Sequence, residues 1–295
     1  GASRREISSF ELPREVAVKP RALVLAAGRG VRMRPLTRAR AKPSLPVLGV
    51  SLVGRVVRHL RAQGLEVIGA NAFHGAESLA EALARDASPA PELFREPVLM
   101  GTGGALDAPR ARLGECEVFV VHNGDTLVDA DLTPLVEAAG APGCLGALLV
   151  RQPAVEGYTP LTVRDGRLVA VGRADPSGRT ATYLGVAAFR REVLEQVPAG
   201  TPSGMFENVL LPMMSESGAQ LAVVAHEGRW LEFTSPESYR AALVRLLASE
   251  AGADGRIPLP GGEAEAVRED RGRVFRASGV SCGRPSALGA STVEP

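Results

Sequence analysis

Apolar positions in the first half of the chain alternate between short continuous runs and spaced helical stripes. The run at 22–26 is apolar throughout, as expected of a strand buried on both faces. Over 51–63, Val53, Val56, Val57 and Leu60 recur at helical spacing and share one face. Further strands are predicted at 66–70 and 116–122, with a helix at 77–85 between them. Strands alternating with helices predict an α/β fold, a Rossmann-like three-layer arrangement in which helices flank a mostly parallel central sheet. Ligands of such sheets bind beyond the carboxyl ends of the strands.

From 146 onward the runs shorten, at 146–151, 161–164, 167–171 and 182–189, with a turn at Asp165-Gly166. They predict a β-rich subregion over the sheet edge. Two more strands are expected at 220–226 and 229–233, and Pro236 opens a helix running to about 249. After 252 the composition shifts to Gly, Pro and charge, and 274–283 faintly resembles the hexapeptide repeat of left-handed β-helices. Solenoids need about three repeats to bury a core, so a packed tail is expected, with a partial β-helix as the alternative. The expected organisation is an N-terminal extension (1–20), a main domain (21–250) and a C-terminal tail (251–295).

Composition narrows the function. A formal net charge of +1 with 23% charged residues gives no general attraction to polyanions, so nucleic acid is not expected as a partner. Cys116, Cys144 and Cys282 lack metal-ligand spacing, and Cys144 reads as a buried free thiol. No apolar run reaches the roughly 18 residues of a membrane helix, and the polar N-terminus has no signal-peptide core. A cytoplasmic address without a membrane partner is expected.

The chemistry concentrates in Leu25-Ala26-Ala27-Gly28-Arg29-Gly30-Val31-Arg32-Met33-Arg34-Pro35-Leu36-Thr37, followed by Lys42-Pro43. A strand enters a loop where Gly28 and Gly30 allow backbone N–H groups to approach a phosphate chain. Taken alone, Gly28 also fits a plain tight turn. Arg29, Arg32 and Arg34 supply fixed positive charge, and the loop ends in a lysine. Lysine stands only at Lys19 and Lys42, although Lys and Arg together number 34. Arg and Lys are not interchangeable at a phosphate, so a lysine retained in this loop points to a chemical need. Lys42 and Arg32 are both expected to be reachable from solvent.

These residues resemble the signature of the sugar-1-phosphate nucleotidyltransferases, the NDP-sugar pyrophosphorylases. The resemblance continues through Asn71-Ala72-Phe73-His74, Glu96, 101–105, Asn123-Gly124-Asp125 and 230–237, and so spans about 21–247. Within the family, the wording of the first loop is most similar to N-acetylmuramate-1-phosphate uridylyltransferases, then to mannose-1-phosphate guanylyltransferases. The resemblance implies a nucleotidyltransferase (GT-A-like) fold whose β-rich subregion forms a sugar-binding wall. It implies attack of a sugar-1-phosphate oxygen on the α-phosphorus of an NTP, with UTP or GTP favoured and pyrophosphate released. The alternative is a non-catalytic nucleotide-sugar-binding regulatory protein on the same fold, and homo-oligomerisation stays open.

By the same resemblance, Arg32, Lys42 and Asp125 are the catalytic residues. Leu25, Ala27, Gly28, Gly30, Glu96, Gly101 and Thr102 would bind the nucleotide, with Glu96 at the base edge. Residues 101–105 also fit a plain helix-start loop. Asn71, Gly185, Glu207, Arg173 and Arg179 would serve the sugar phosphate, although Asn71 and Glu207 fit a loop-fixing role equally well. Mg²⁺ would be held by Asp125 and Glu232. Relatives carry aspartate at the second ligand position, so Glu232 is a departure by one methylene. A second departure is the absence of a lysine near 173–176, which leaves Arg173 or Arg179 to substitute. His74 and His122 are read as structural.

Overall fold

The computed structural model describes residues 19–172 and 178–250, together with the backbone of three strands between 256 and 277. Strand β1 (Arg21–Leu25) leads through two 3₁₀ turns to a small hairpin, β2 (Pro46–Val47) and β3 (Val50–Ser51), and then to helix α1 (Leu52–Ala62). Ser51 caps α1, its hydroxyl accepting from the Gly54 N–H. Next come β4 (Glu66–Ala72), α2 (Ala76–Asp86), β5 (Glu92–Arg95), and the short helices α3 (Gly101–Gly104) and α4 (Arg110–Leu113). Strands β6 (Val118–Asn123) and β7 (Thr126–Val128) are followed by α5 (Thr133–Gly140) and β8 (Cys144–Arg151). The β-rich part comprises β9 (Leu161–Arg164), β10 (Arg167–Val171) and β11 (Arg179–Arg190). A π-helical turn (Phe206–Leu210) runs into α6 (Leu211–Ser217), followed by β12 (Gln220–Ala225), β13 (Trp230–Glu232) and α7 (Pro236–Glu250).

Nine strands form one sheet in the order β5-β4-β1-β6-β11-β8-β12-β10-β9. The expectation of a mostly parallel sheet holds for β5-β4-β1-β6, and among the described residues parallel pairing recurs only between β8 and β12. Beyond β6 the sheet is mixed: β11 runs antiparallel to β6 and β8, β8 and β12 are parallel, and β10 is antiparallel to β12 and β9. Of the antiparallel pairs, β9 and β10 are joined directly by the two-residue turn Asp165-Gly166, as an antiparallel hairpin allows. Alternate strand residues feed two cores. Ala22, Val24, Val120, Ala147 and Leu149 pack with Val53, Val57 and Leu83 on one face. Leu23, Phe119, Val121 and Leu148 pack with Leu106, Leu113 and Val209 on the other. Both faces are therefore covered, which explains the continuous apolar runs. A satellite core joins Leu52, Phe233, Leu243 and Leu246.

Strands β14 (Arg256–Leu259), β15 (Gly262–Glu269) and β16 (Gly272–Ala277) form a separate antiparallel sheet. This corrects the partial β-helix reading for 274–277, because successive coils of a β-helix pair in parallel; residues 278–295 lie outside the described part of the chain. Cys116 and Cys144 are buried free thiols, and Cys282 also falls outside. No described helix is long and apolar enough to cross a membrane.

Close backbone contact seats the segment leading to Lys42 on the start of α2. Gly75 has φ 63°, and a Cβ there would lie 2.2 Å from the Ala41 nitrogen. Ala41 N–H in turn donates to Ser78 Oγ at 2.8 Å, and Ser78 Oγ donates to the Gly75 carbonyl. Gly75→Ala is expected to destabilise the protein by about 2 kcal/mol or more, from left-handed strain plus displacement of the 40–41 backbone. Chemical denaturation checks this, and an unchanged midpoint would contradict it.

His122 is buried in β6, its Nδ1 2.8 Å from the Asn123 carbonyl, so Nδ1 carries the proton. Burial is the main cause that lowers its pKa to about 4 from 6.5. The unfolded chain therefore binds the proton first. Stability owed to this group is complete above pH 6.5, declines as pH falls toward 4, and then levels off. The loss is about 3 kcal/mol in all. His122→Gln is expected to flatten the acid side of a stability-pH curve from urea denaturation; an unchanged acid slope would refute the assignment.

Candidate active site

The site is assembled at the carboxyl ends of β1 and β6, which pair in parallel from Arg21↔Phe119 to Leu25↔Asn123. Gly124 N–H donates to the Leu25 carbonyl at 2.8 Å, tying the two strand exits together. After β1, Ala26 N–H donates to Asn71 Oδ1 at 2.6 Å. Gly30 has φ 59°, a conformation that opens the 3₁₀ turn Val31–Met33. The Thr37 hydroxyl closes the loop on the Gly30 carbonyl at 2.7 Å, and the His74 Nε2–H donates to the Thr37 carbonyl at 2.7 Å. Met33 is buried beneath the loop while Arg32 stays exposed. Arg29 lies over the Phe73 ring at 5.8 Å. His74 is therefore structural, as the sequence suggested.

Lys42 begins a second 3₁₀ turn, Lys42–Ser44, and its Nζ donates to Asp125 Oδ2 at 2.6 Å. This pair corrects one expectation. Arg32 is open to solvent, but the Lys42 side chain is only 9% exposed, against 31% for Asp125. An ammonium withdrawn that far needs a partner, and the carboxylate supplies it.

Asp125 occupies the turn between β6 and β7. Strand β7 pairs with β13, placing Glu232 opposite Thr126, and Phe233 N–H donates to the Asp125 carbonyl at 3.2 Å. The ladder thus brings Glu232 beside Asp125 from more than a hundred residues away. Burial pushes the Glu232 carboxyl above the ordinary carboxylate value; the Tyr158 hydroxyl, Lys42 and Arg32 pull it down, while the charge of Asp125 pushes it up. Tyr158 donates to Glu232 Oε2 at 2.8 Å, and burial together with that carboxylate pushes its hydroxyl up to about 12.

Two carboxylates around a spot that already draws in the Lys42 ammonium fit a hard divalent cation. Mg²⁺ takes one or two protein carboxylates and completes its shell with water and substrate phosphates. Among the described residues no cluster of three His, Cys, Asp or Glu side chains forms a closed protein cage. The donor set matches an open site that shares its cation with a bound polyphosphate.

A cavity of about 430 Å³ lies over these strand ends. Of the sequence-predicted residues, Leu25, Ala27, Gly28, Gly30, Arg32, Lys42, Asn71, Gly101, Thr102 and Asp125 line it. Glu96 does not. Its Oε1 accepts from Asn71 Nδ2 at 2.7 Å and its Oε2 from Met100 N–H at 2.9 Å. Glu96 stands behind the wall, holding Asn71 and the entry to α3, and both its oxygens already have donors. Residues 101–104 form the short helix of the plain alternative, seated against Ser203, whose carbonyl accepts from Gly103 N–H at 2.9 Å.

Gly185 and Glu207 are outside the cavity lining, as are Arg179 and Glu232. Gly185 packs close to Asn123, a Cβ there coming within 2.8 Å of the Asn123 amide nitrogen. Arg179 begins β11 as an exposed residue, and Arg173 is outside the described residues. Sequence reasoning missed Asn123, Leu99 and Thr234 in the lining and Tyr158 on Glu232. Asn123 stands two residues before Asp125 in the recognised motif, a usable signal. Tyr158 had none, being 74 residues from its partner.

The family profile described as Nucleotidyl transferase matches residues 21–158. The chain is 26% identical over 254 residues to UTP–glucose-1-phosphate uridylyltransferase of Synechocystis, with 78% of this chain and 64% of that protein covered. It is 32% identical over 243 residues to N-acetylmuramate alpha-1-phosphate uridylyltransferase of Caulobacter vibrioides, covering 76% of this chain and 96% of the relative. The chain therefore spans just under two thirds of the first relative and nearly all of the second. Among solved structures, HddC from Yersinia pseudotuberculosis, complexed with GMP-PN, superposes with TM-score 0.64 at 19% identity, covering 77% of this chain and 99% of HddC. That likeness carries the α/β nucleotidyltransferase fold. Together with the profile match and the near full-length Caulobacter relative, it establishes that the chain belongs to the sugar-1-phosphate nucleotidyltransferase family.

Proposed function

We propose that this chain transfers the nucleotidyl group of an NTP, UTP first and GTP second, to a sugar 1-phosphate, giving an NDP-sugar and pyrophosphate. The observation that carries this reading is the convergence of the glycine loop, Arg32, Lys42 and Asp125 on one cavity over the ends of β1 and β6. We take residues 21–250 as the catalytic unit, with a GT-A-like layout, and place the reaction in the cytoplasm.

A phosphate oxygen of the sugar 1-phosphate forms a bond to the α-phosphorus. The bond from that phosphorus to the oxygen bridging to the β-phosphate breaks, and pyrophosphate leaves with the electron pair. The nucleophile is already an anion, so no general base is required, and the work is positioning and charge neutralisation. Backbone N–H groups around Gly28 and Gly30 cradle the phosphate chain. Arg32, exposed at the cavity mouth, neutralises the leaving pyrophosphate. Lys42, paired with Asp125 in the free site, transfers its charge to the reacting phosphates.

Asp125 and Glu232 would hold Mg²⁺, which would supply further neutralisation of the triphosphate. Glu96 acts on the base side through the Asn71 carboxamide and the Met100 backbone that it holds. We assign the acceptor to the region beyond Asn123, where Gly185 packs against that residue.

Lys42→Ala and Arg32→Ala are each expected to lower kcat about 100-fold or more at saturating substrates, with the far-UV spectrum retained. Pyrophosphate release over a panel of NTPs and sugar 1-phosphates measures it. Turnover close to wild type would remove the assigned roles, and nucleotide binding without turnover for every pair would return the regulatory-protein reading.

Asp125→Asn is expected to abolish turnover, and removal of divalent cation by a chelator to do the same, with activity restored by added Mg²⁺. Turnover that persists in the presence of chelator would contradict the metal assignment.

A further inference from the structure

Read as a cation ligand, Glu232 presents its carboxylate on a longer arm than an aspartate would, with more freedom to misplace it. A glutamate fixes three side-chain torsions where an aspartate fixes two, so a longer ligand arm needs an outside restraint to present its oxygens reproducibly. The structure contains such a restraint. The Tyr158 hydroxyl donates to Glu232 Oε2 at 2.8 Å, which leaves Oε1 and the remaining lone pair of Oε2 available.

Tyr158 is itself held from two sides. Its ring packs on Trp230, with centroids 5.1 Å apart and planes tilted by 57°. Trp230 and Glu232 alternate along β13 with Leu231 between them, so they share one face of the strand, and the tyrosine spans both. On the other side, the 152–160 loop is anchored to β11, where Val155 N–H donates to the buried Thr182 hydroxyl at 2.8 Å. A second tie runs from Gly172 N–H to the Pro160 carbonyl at 2.8 Å. The loop therefore gives the ring a second support, on β11, beside its packing on Trp230 of β13.

We infer that Tyr158 is a positioning residue for Glu232, a bracing contact that lets the longer glutamate arm present its carboxylate as a metal ligand. The inference rests on the reading of Asp125 and Glu232 as the cation site. Tyr158 touches neither substrate nor metal; it acts through the carboxylate it holds. Because an aspartate at 232 would be shorter by about 1.5 Å, one carbon–carbon bond, its carboxylate would fall short of the tyrosine hydroxyl. The benefit of Tyr158 is thus specific to glutamate.

The test uses the full chain and Mn²⁺ alone, with free Mn²⁺ followed by electron paramagnetic resonance and the site followed by fluorescence of Trp230, the chain's single tryptophan. Tyr158→Phe keeps the ring on Trp230 and removes one hydroxyl. It is expected to weaken Mn²⁺ binding about tenfold, the scale on which partners of ligating groups act, with Tm and Trp230 emission in the metal-free protein unchanged. In a Glu232→Asp background the same substitution is expected to change binding less than about twofold, because the hydrogen bond is already lost. Wild-type Mn²⁺ affinity in Tyr158→Phe, or an equal loss in both backgrounds, would overturn the inference while leaving the metal reading intact. Glu232→Gln separates the two: undiminished Mn²⁺ binding in that variant would overturn the metal reading, and the inference with it.

Discussion

The ion pair between Lys42 and Asp125, at 2.6 Å, is the contact on which the rest of the site depends. It joins the loop that follows β1 to the turn that follows β6, two segments 83 residues apart. A buried ammonium without a partner would cost several kcal/mol, so neither segment can relax independently. The parallel ladder beneath supplies the register. Because Leu25 pairs with Asn123, the two strand exits lie side by side, and residues just beyond them face one cavity. In the proposed reaction, substrate phosphates would bring charges of their own to this spot, and the resting pair keeps the cationic and anionic groups together.

A second chain of contacts ties together the loops that follow β1, β4 and β5. Asn71 is buried at the end of β4 and uses both ends of its carboxamide, accepting from Ala26 N–H and donating to Glu96. Glu96 then accepts from Met100 N–H at the entry to α3. One carboxamide and one carboxylate thus link three loops that leave three neighbouring strands. Neither group has its principal oxygens free for loop-breaking alternatives, and an unpaired member would carry the full cost of a buried polar atom. Preorganisation of this kind suits a reaction that needs fixed charge and orientation more than proton transfer.

The part of the sheet beyond β6 is built on a different principle. Beyond β6 the sheet turns antiparallel at β11, whose long strand also supports the 152–160 loop through Thr182. That loop carries Tyr158 to Glu232, adding a contact from β11 to a carboxylate already placed beside Asp125 by the β7–β13 ladder.

The sequence by itself determined the type of the elements it named, the glycine loop and its charges, and the family. Apolar runs such as 118–121 read correctly because burial on both faces leaves no polar positions, and the helix at 52–62 read correctly because its stripe has one period. Strand order and direction beyond β6 were not legible, since a short apolar run has the same composition in parallel and antiparallel ladders. Most of the pocket-lining residues were legible because they lie within contiguous motifs that end strands. The role of Glu96, the burial of Lys42 and the partner of Glu232 were decided only by tertiary structure. Each depends on contacts between segments 25, 83 or 74 residues apart, and hydrogen-bond geometry across such separations leaves no local trace in the chain.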